Sequence, residues 1–261
     1  MADLSMFDLT DRVAIVTGGG HGISKAVALG FAQAGAHVAI IDKVPERAEG
    51  TSAAIEDLGR KSIFDTAHIG YEDKAKGFVQ RVLDELGRVD ILFNGAGGMR
   101  TADGLYYEKG IEELTEEDLD EVIRNNIKSC FFMCKAVGGH MLERGSGSVI
   151  NVASVSGYEP SPKRTPYGIS KAGITNFTKS LAAEWGPQGV RVNEIWPLAV
   201  TRPQESRYTD QENVKRLTDR IAMGRLGSQC SQASVRLCLL SANSWVSWPG
   251  NRRRSAKKGL Q

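Results

Sequence analysis

Short runs of consecutive apolar, often β-branched residues alternate along this chain with longer stretches in which apolar positions recur every three or four residues. The first run, Val13 to Val16, is followed by Ile23, Val27, Ala28 and Phe31 at helical spacing. A second run from His37 to Ile41 ends in Asp42, and Ala48, Ile55 and Leu58 then mark the inward face of a helix that stops near Gly59. Ser62 to Ala67 reads as a third strand leading to His68-Ile69. Phe78, Val79, Val82, Leu83 and Leu86 line a helix that closes on Gly87 in a C-cap position. A fourth strand, Val89 to Phe93, runs into Asn94-Gly95-Ala96-Gly97, and the polar, irregular stretch Gly98 to Leu114 follows as a long loop. Thr115-Glu116-Glu117-Asp118 has the form of a capping box and opens a long helix through Val122, Ile123, Ile127, Phe131 and Met141. Ser148 to Val152 is a fifth strand delivering Ala153-Ser154. A loop with Pro160, Pro162 and Pro166 leads to a helix from about Tyr167 to Trp185, and Val190 to Ile195 is a sixth strand. Unbroken apolar strands are those buried on both faces, so the alternation predicts an α/β fold with a doubly wound parallel sheet, as a single domain over residues 1–261.

Composition narrows the function classes. A chain of 261 residues can bury a sizeable core, and its 25% charged and 41% hydrophobic residues are ordinary for a globular protein. The net charge of +2 implies no general attraction to nucleic acid or to an anionic membrane. No apolar run is long enough to cross a bilayer, and Met1 to Asp8 lacks a basic-then-apolar signal pattern, so a cytoplasmic protein is expected. Cys130, Cys134, Cys230 and Cys238 have no paired metal-ligand spacing with histidine; they are read as reduced thiols, with no metal. Cys130 and Cys134 lie one helical turn apart amid Phe131, Phe132 and Met133, a position for core packing.

The candidate chemistry starts at Thr17-Gly18-Gly19-Gly20-His21-Gly22-Ile23, between the first strand and helix. Glycines let a backbone bend sharply and approach a pyrophosphate, while the helix start offers N–H groups and a positive dipole end. A tight strand-to-helix turn needs glycine with no ligand present, so this loop alone does not establish binding. Asp42 lies about twenty residues further on, where a carboxylate would accept from an adenosine ribose and repel a 2′-phosphate, favouring NAD; the adjacent Lys43 leaves NADP open. Tyr167 and Lys171, four apart on one helix, share a face. An ammonium there, with the charge of an oxidised nicotinamide, would favour the phenolate and let Tyr167 exchange a proton with an alcohol or carbonyl oxygen. Ser154 arrives at a strand C-terminus, where ligands of such sheets sit, and can hold the same oxygen.

Taken together, from about Asp8 to Gly227, the chain resembles the short-chain dehydrogenase/reductase family, whose members are Rossmann-like. The resemblance rests on the glycine turn, Asn94-Gly95-Ala96-Gly97, Asn126, Ser154, Tyr167-Gly168-Ile169-Ser170-Lys171-Ala172, Arg191-Val192-Asn193 and Pro197, in that order. It implies that Tyr167 is the catalytic acid/base. It further implies that Lys171 lowers its pKa and binds the nicotinamide ribose, that Ser154 orients the substrate oxygen, and that Asn126 joins a proton relay through water. The cofactor-binding set it implies is Gly18, His21, Gly22, Ile23, Asp42, His68, Ile69, Asn94, Ala96, Gly97, Tyr167, Lys171, Pro197, Val200 and Thr201. The expected reaction is hydride transfer between NAD and a secondary alcohol or ketone. The alternatives are an NADPH-dependent 3-oxoacyl thioester reductase and a catalytically impaired dinucleotide-binding homologue.

Five departures from the family pattern stand out. Ser24 occupies the place of a third glycine, His68 that of an aspartate against the adenine, Gly95 that of an asparagine, and Leu198 that of a glycine after Pro197. The family also adds a last strand ending Val-Asp-Gly-Gly. Here residues 228–261 form an atypical segment ending in the basic stretch Asn251 to Gln261, for which a frame shift near Ser228 and again, or for good, after Trp245 is the expected cause. Loss of that strand would leave the sixth strand as an edge. The long helices around Leu119 to Met141 and Tyr167 to Trp185 would still build an interface, giving a homodimer or homotetramer whose other partner is a small alcohol or carbonyl substrate.

Overall fold

Six strands account for the apolar runs: β1 (Val13–Thr17), β2 (His37–Ile41), β3 (Ser62–Asp65), β4 (Ile91–Asn94), β5 (Gly147–Val152) and β6 (Val190–Ile195). In the computed structural model, which describes residues 8–99, 109–197 and 211–219, they form one parallel sheet in the order β3-β2-β1-β4-β5-β6. Val16, for example, pairs with Ile40 on one side and Phe93 on the other. The helices between them are α1 (Gly22–Gln33), α2 (Pro45–Glu56), α3 (Glu72–Leu86), α4 (Glu116–Ile123), α5 (Ser129–Glu143) and α6 (Thr165–Trp185), and α7 (Gln211–Thr218) follows β6. The chain moves outward from β1 to β3 and then returns to lay β4 on the other flank of β1. Crevices for ligands open at the carboxyl ends of strands at such a reversal.

Alternation along each strand divides the core in two. Val13, Ile15, Leu92, Val149 and Val192 face α3, α5 and α6, meeting Phe78, Val82, Met133, Val137 and Ile174. Ala14, Val16, Ile40, Phe93 and Ile150 face α1 and α2, meeting Val27, Phe31 and Ile55. Each large side chain buried this way contributes roughly 1.5–3 kcal/mol. Both faces must therefore be apolar, as the unbroken strand runs require.

The capping box forms as expected: Thr115 Oγ1 accepts from the Asp118 N–H at 3.1 Å, and the Asp118 carboxylate accepts from the Thr115 N–H at 3.2 Å. Between α4 and α5 the helix passes through a π turn, Arg124–Lys128. Two inward assignments are corrected. Leu58 is 42% exposed, because α2 ends at Glu56 and Leu58 sits in the turn beyond it. Phe131 is 45% exposed, because counting in fours from Ile123 through Ile127 crosses the π turn, which takes an extra residue; Cys130, Met133 and Cys134 hold the inward face instead. Cys130 and Cys134 are free and buried, as core packing predicts. The third strand is shorter than its apolar pattern, ending at Asp65, whose carboxylate accepts from the Thr66 and Ala67 N–H groups.

At the amino edge of the sheet the buried Asp90 carboxylate accepts from the Val13 N–H at 3.0 Å. Arg88, Arg144 and Arg12 also pair with it, so it ties β1 and β4 to the end of α5. Burial pushes this carboxyl's pKa up, but the bonds from Arg88, the Val13 N–H and Arg144 outweigh that and hold it below the usual carboxylate range. A depressed folded-state pKa stabilises the fold above the unfolded value, near 3.9, and that contribution is lost as pH falls through the folded value. Asp90→Ala is expected to lower stability by about 1–3 kcal/mol, roughly 3–10 °C in Tm at neutral pH. The gap to the unaltered chain should narrow in melts below pH ~4.

Candidate active site

The turn after β1 is shaped by contact with the turn after β4. Gly18 has φ +66°, and a Cβ there would lie 3.0 Å from the Ala96 Cα, so only glycine lets the two turns touch. The Ala96 N–H donates to Thr17 Oγ1 at 3.0 Å, and the Gly18 N–H to the Ile41 carbonyl at 2.7 Å. α1 then starts at Gly22, where His21 supplies no side-chain cap and the first turn holds no acid. An anion placed there meets the positive end of the helix. Asp42, just past β2, accepts from the Gly20 N–H at 3.0 Å and the Val44 N–H at 3.1 Å, so its carboxylate closes the same turn from the far side. These residues fit the diphosphate and ribose of a dinucleotide.

Four further side chains gather at the same carboxyl edge. Ser154 follows β5 in extended backbone, and its Oγ accepts from the Ser156 N–H at 3.2 Å. Lys171, only 4% exposed, reaches from α6 to the end of β5, where its Nζ donates to the Val152 carbonyl at 2.6 Å. The same Nζ lies 5.6 Å from the centre of the Tyr167 ring. Tyr167 packs against the buried pair Met99 and Val122. Asn126, in the π turn, is fully buried; its Nδ2 donates to the Gly98 and Val122 carbonyls, each at 2.8 Å, and its Oδ1 accepts from the Gly98 N–H at 3.1 Å. Asn126 thus fixes the segment beside Met99, and Lys171 fixes the strand end that carries Ser154. Burial lowers the Lys171 pKa from 10.5 to about 8.

Not every expected contact is made by a side chain. The Asn94 amide points into the protein, donating to Asn151 Oδ1 at 2.9 Å and to Cys134 Sγ at 3.3 Å. Asn151 in turn donates to Thr178 Oγ1 at 2.9 Å, which donates to the Ile174 carbonyl at 2.7 Å. This chain under the site, absent from the sequence reading, had one signal: a lone asparagine in an apolar buried strand needs a partner. His68 uses its Nδ1 to accept from the Gly70 N–H at 3.1 Å, with its ring edge-on to Tyr71. Ile69 is buried, and Gly97 has φ +145°, its bare Cα facing Asn126 Oδ1. Pro197 ends the described stretch after β6. Leu198, Val200, Thr201, Cys230, Cys238, residues 100–108 of the loop after β4, and the segment 228–261 lie outside the described residues. Among the described residues no cluster of metal-ligating side chains occurs, and no helix is long and apolar enough to cross a membrane.

A family model described as short chain dehydrogenase matches residues 12–213. The 2-dehydro-3-deoxy-D-gluconate 5-dehydrogenase of Escherichia coli (strain K12) is 36% identical over 227 residues, covering 86% of either chain. D-threitol dehydrogenase of Mycolicibacterium smegmatis is 38% identical over 195 residues, 74% of this chain and 72% of its own. Among solved structures, NAD+-bound xylitol dehydrogenase matches with a TM-score of 0.78 and 26% identity, over 90% of this chain and 94% of the other.

The buried ammonium has a thermodynamic signature. A base whose folded pKa is depressed leaves the folded state with fewer protons than the unfolded one between about 8 and 10.5, so stability rises with pH in that window. Lys171→Met should remove this slope. Denaturant melts of both proteins from pH 7 to pH 10 are expected to show the unaltered chain gaining about 2–3 kcal/mol on the variant as pH rises.

Proposed function

The chain belongs to the short-chain dehydrogenase family, and we propose on that footing that it passes a hydride between NAD and a secondary alcohol, or the matching ketone, of a polyhydroxylated carbon chain. The observation that carries this reading is the pairing of Tyr167 with a buried lysine at the strand end bearing Ser154. Bound NAD supplies the hydride acceptor. Tyr167 takes the hydroxyl proton during oxidation and returns it during reduction, while Ser154 donates a hydrogen bond to the same oxygen. The Lys171 ammonium, 5.6 Å from the Tyr167 ring centre, would favour the phenolate electrostatically. The Asn126 amide is engaged with main chain and its backbone carbonyl accepts from Ser129 Oγ at 2.9 Å, so a proton relay through water at this residue would use a remaining acceptor lone pair.

Asp42 supports NAD over NADP, since a 2′-phosphate would meet its carboxylate; the exposed Lys43 and Arg47 beside it are the groups a phosphate could use instead. Gly18, Gly22 and Ile23 would hold the diphosphate, and His68 and Ile69 the adenine side. Gly97, Pro197, Val200 and Thr201 would flank the nicotinamide. Polyols and sugar acids are the favoured substrate class because they are the substrates named for the relatives above. An outward stripe with Leu119, Phe131 and Ile169, on which the Phe131 and Phe177 rings lie 5.4 Å apart, supports pairing of two copies through α4, α5 and α6. Two buried free thiols accord with a reducing cytoplasm.

Thermal shift with NADH and NADPH tests the cofactor, and stabilisation by NADPH alone would overturn the NAD assignment. Tyr167→Phe is expected to cut kcat/KM for xylitol, threitol or gluconate by about 10²–10⁴, a loss far larger than any change in the NADH Kd. Undiminished turnover would overturn the role of Tyr167, and silence of the unaltered chain across a broad alcohol panel, with NADH still bound, would identify a binding homologue instead.

A further inference from the structure

Two of the departures from the family pattern, Ser24 in α1 and Gly95 after β4, lie against each other. A Cβ built on Gly95 would overlap Ser24 Oγ, and it would also come within 2.6 Å of Phe93 Cε1 and 3.1 Å of the Thr17 carbonyl oxygen. Ser24 is buried, on the face of α1 turned toward the sheet. Its hydroxyl thus fills the volume that any side chain at position 95 would need. On the other flank, Gly18 is pressed against Ala96 with no room for a Cβ. The Gly95-Ala96 backbone is therefore wedged between the turn that would take a diphosphate and the helix that opens from it. Its position is set by one filled site, Ser24, and two empty ones, Gly18 and Gly95.

We propose that Ser24 and Gly95 are a single coupled exchange, and that Ser24 is a positioning residue that sets the spacing between the two turns walling the dinucleotide crevice. A substitution at either position alone displaces one wall against the other. Enlarging position 95 pushes the Asn94–Gly97 turn off α1, and with it the Gly97-Gly98 segment held by Asn126. Compensation requires that Ser24 lose its side chain at the same time. The binding arm of this proposal rests on the dinucleotide reading given above; the stability arm does not.

The experiment is a double-mutant cycle of Gly95→Ala and Ser24→Gly, with Gly77→Ala as control. Gly77 lies on the exposed face of α3, where a Cβ meets nothing within 4 Å. Each protein is followed by apo Tm and by NADH Kd, the latter measured by fluorescence well below the melt. Gly95→Ala is expected to lower Tm and weaken NADH about tenfold, and Ser24→Gly alone about threefold. The double variant should recover most of the Gly95→Ala loss in both readouts, and the control should bind within about twofold of the unaltered chain. If Gly95→Ala is insoluble, a soluble double variant supports the pairing, and an insoluble one overturns it by making Phe93 the neighbour that matters. Additive losses in the double variant would sink the coupling. A fall in Tm with unchanged NADH Kd below the melt would sink the positioning role, because packing alone would then explain the pair. Should the unaltered chain bind no NADH, the cofactor reading fails, and the apo Tm cycle still decides whether the exchange is coupled.

Discussion

A cation inside a protein is costly to keep, and the carboxyl edge of this sheet is arranged around one. Lys171 has left water for a place under the end of β5, where its Nζ donates to the Val152 carbonyl. Desolvation weakens its hold on a proton, yet a group that titrates near pH 8 is still mostly charged at neutral pH. Its field acts on the Tyr167 ring through protein rather than solvent, so it is screened far less than a surface charge. The helix brings the two together by spacing alone. Holding the charge, however, takes the strand end, the tight turn at Ser154–Gly157 and the packing of α6 on the sheet.

Much of this was legible in the primary structure. Strands buried on both faces announce themselves as unbroken apolar runs, and the parallel direction of the sheet follows from their alternation with helices. Ser154, Tyr167 and Lys171 could be placed because strand ends and four-residue helical spacing are strong geometric rules. Failures came where local counting is blind to what intervenes. Phe131 was assigned inward because a period of 3.6 was carried across a turn that winds more loosely. Leu58 continues the helical spacing of Ala48 and Ile55, but the helix stops one residue after Ile55, and the turn beyond leaves Leu58 exposed. The inward-facing amide of Asn94 could not be read, since its partners Asn151 and Thr178 lie on two other elements far along the chain.

That polar chain lies beneath the site and ties its elements together. Asn94, Asn151 and Thr178 connect two strands and α6 by hydrogen bonds deep in an apolar layer, where an unsatisfied group is penalised and the geometry admits few alternatives. Asn126 does the same for the turn after β4. Among the described residues β6 is the last strand on that side of the sheet.

The looser winding at Arg124–Lys128 absorbs one residue more than a regular turn holds. Deleting one residue there would let the turn close to regular winding with Met133, Val137 and Met141 still on the sheet. What the deletion would take away is the bulge that presents Asn126 to Gly98, so the helix could survive a loss that the anchorage of the Gly97-Gly98 turn would not.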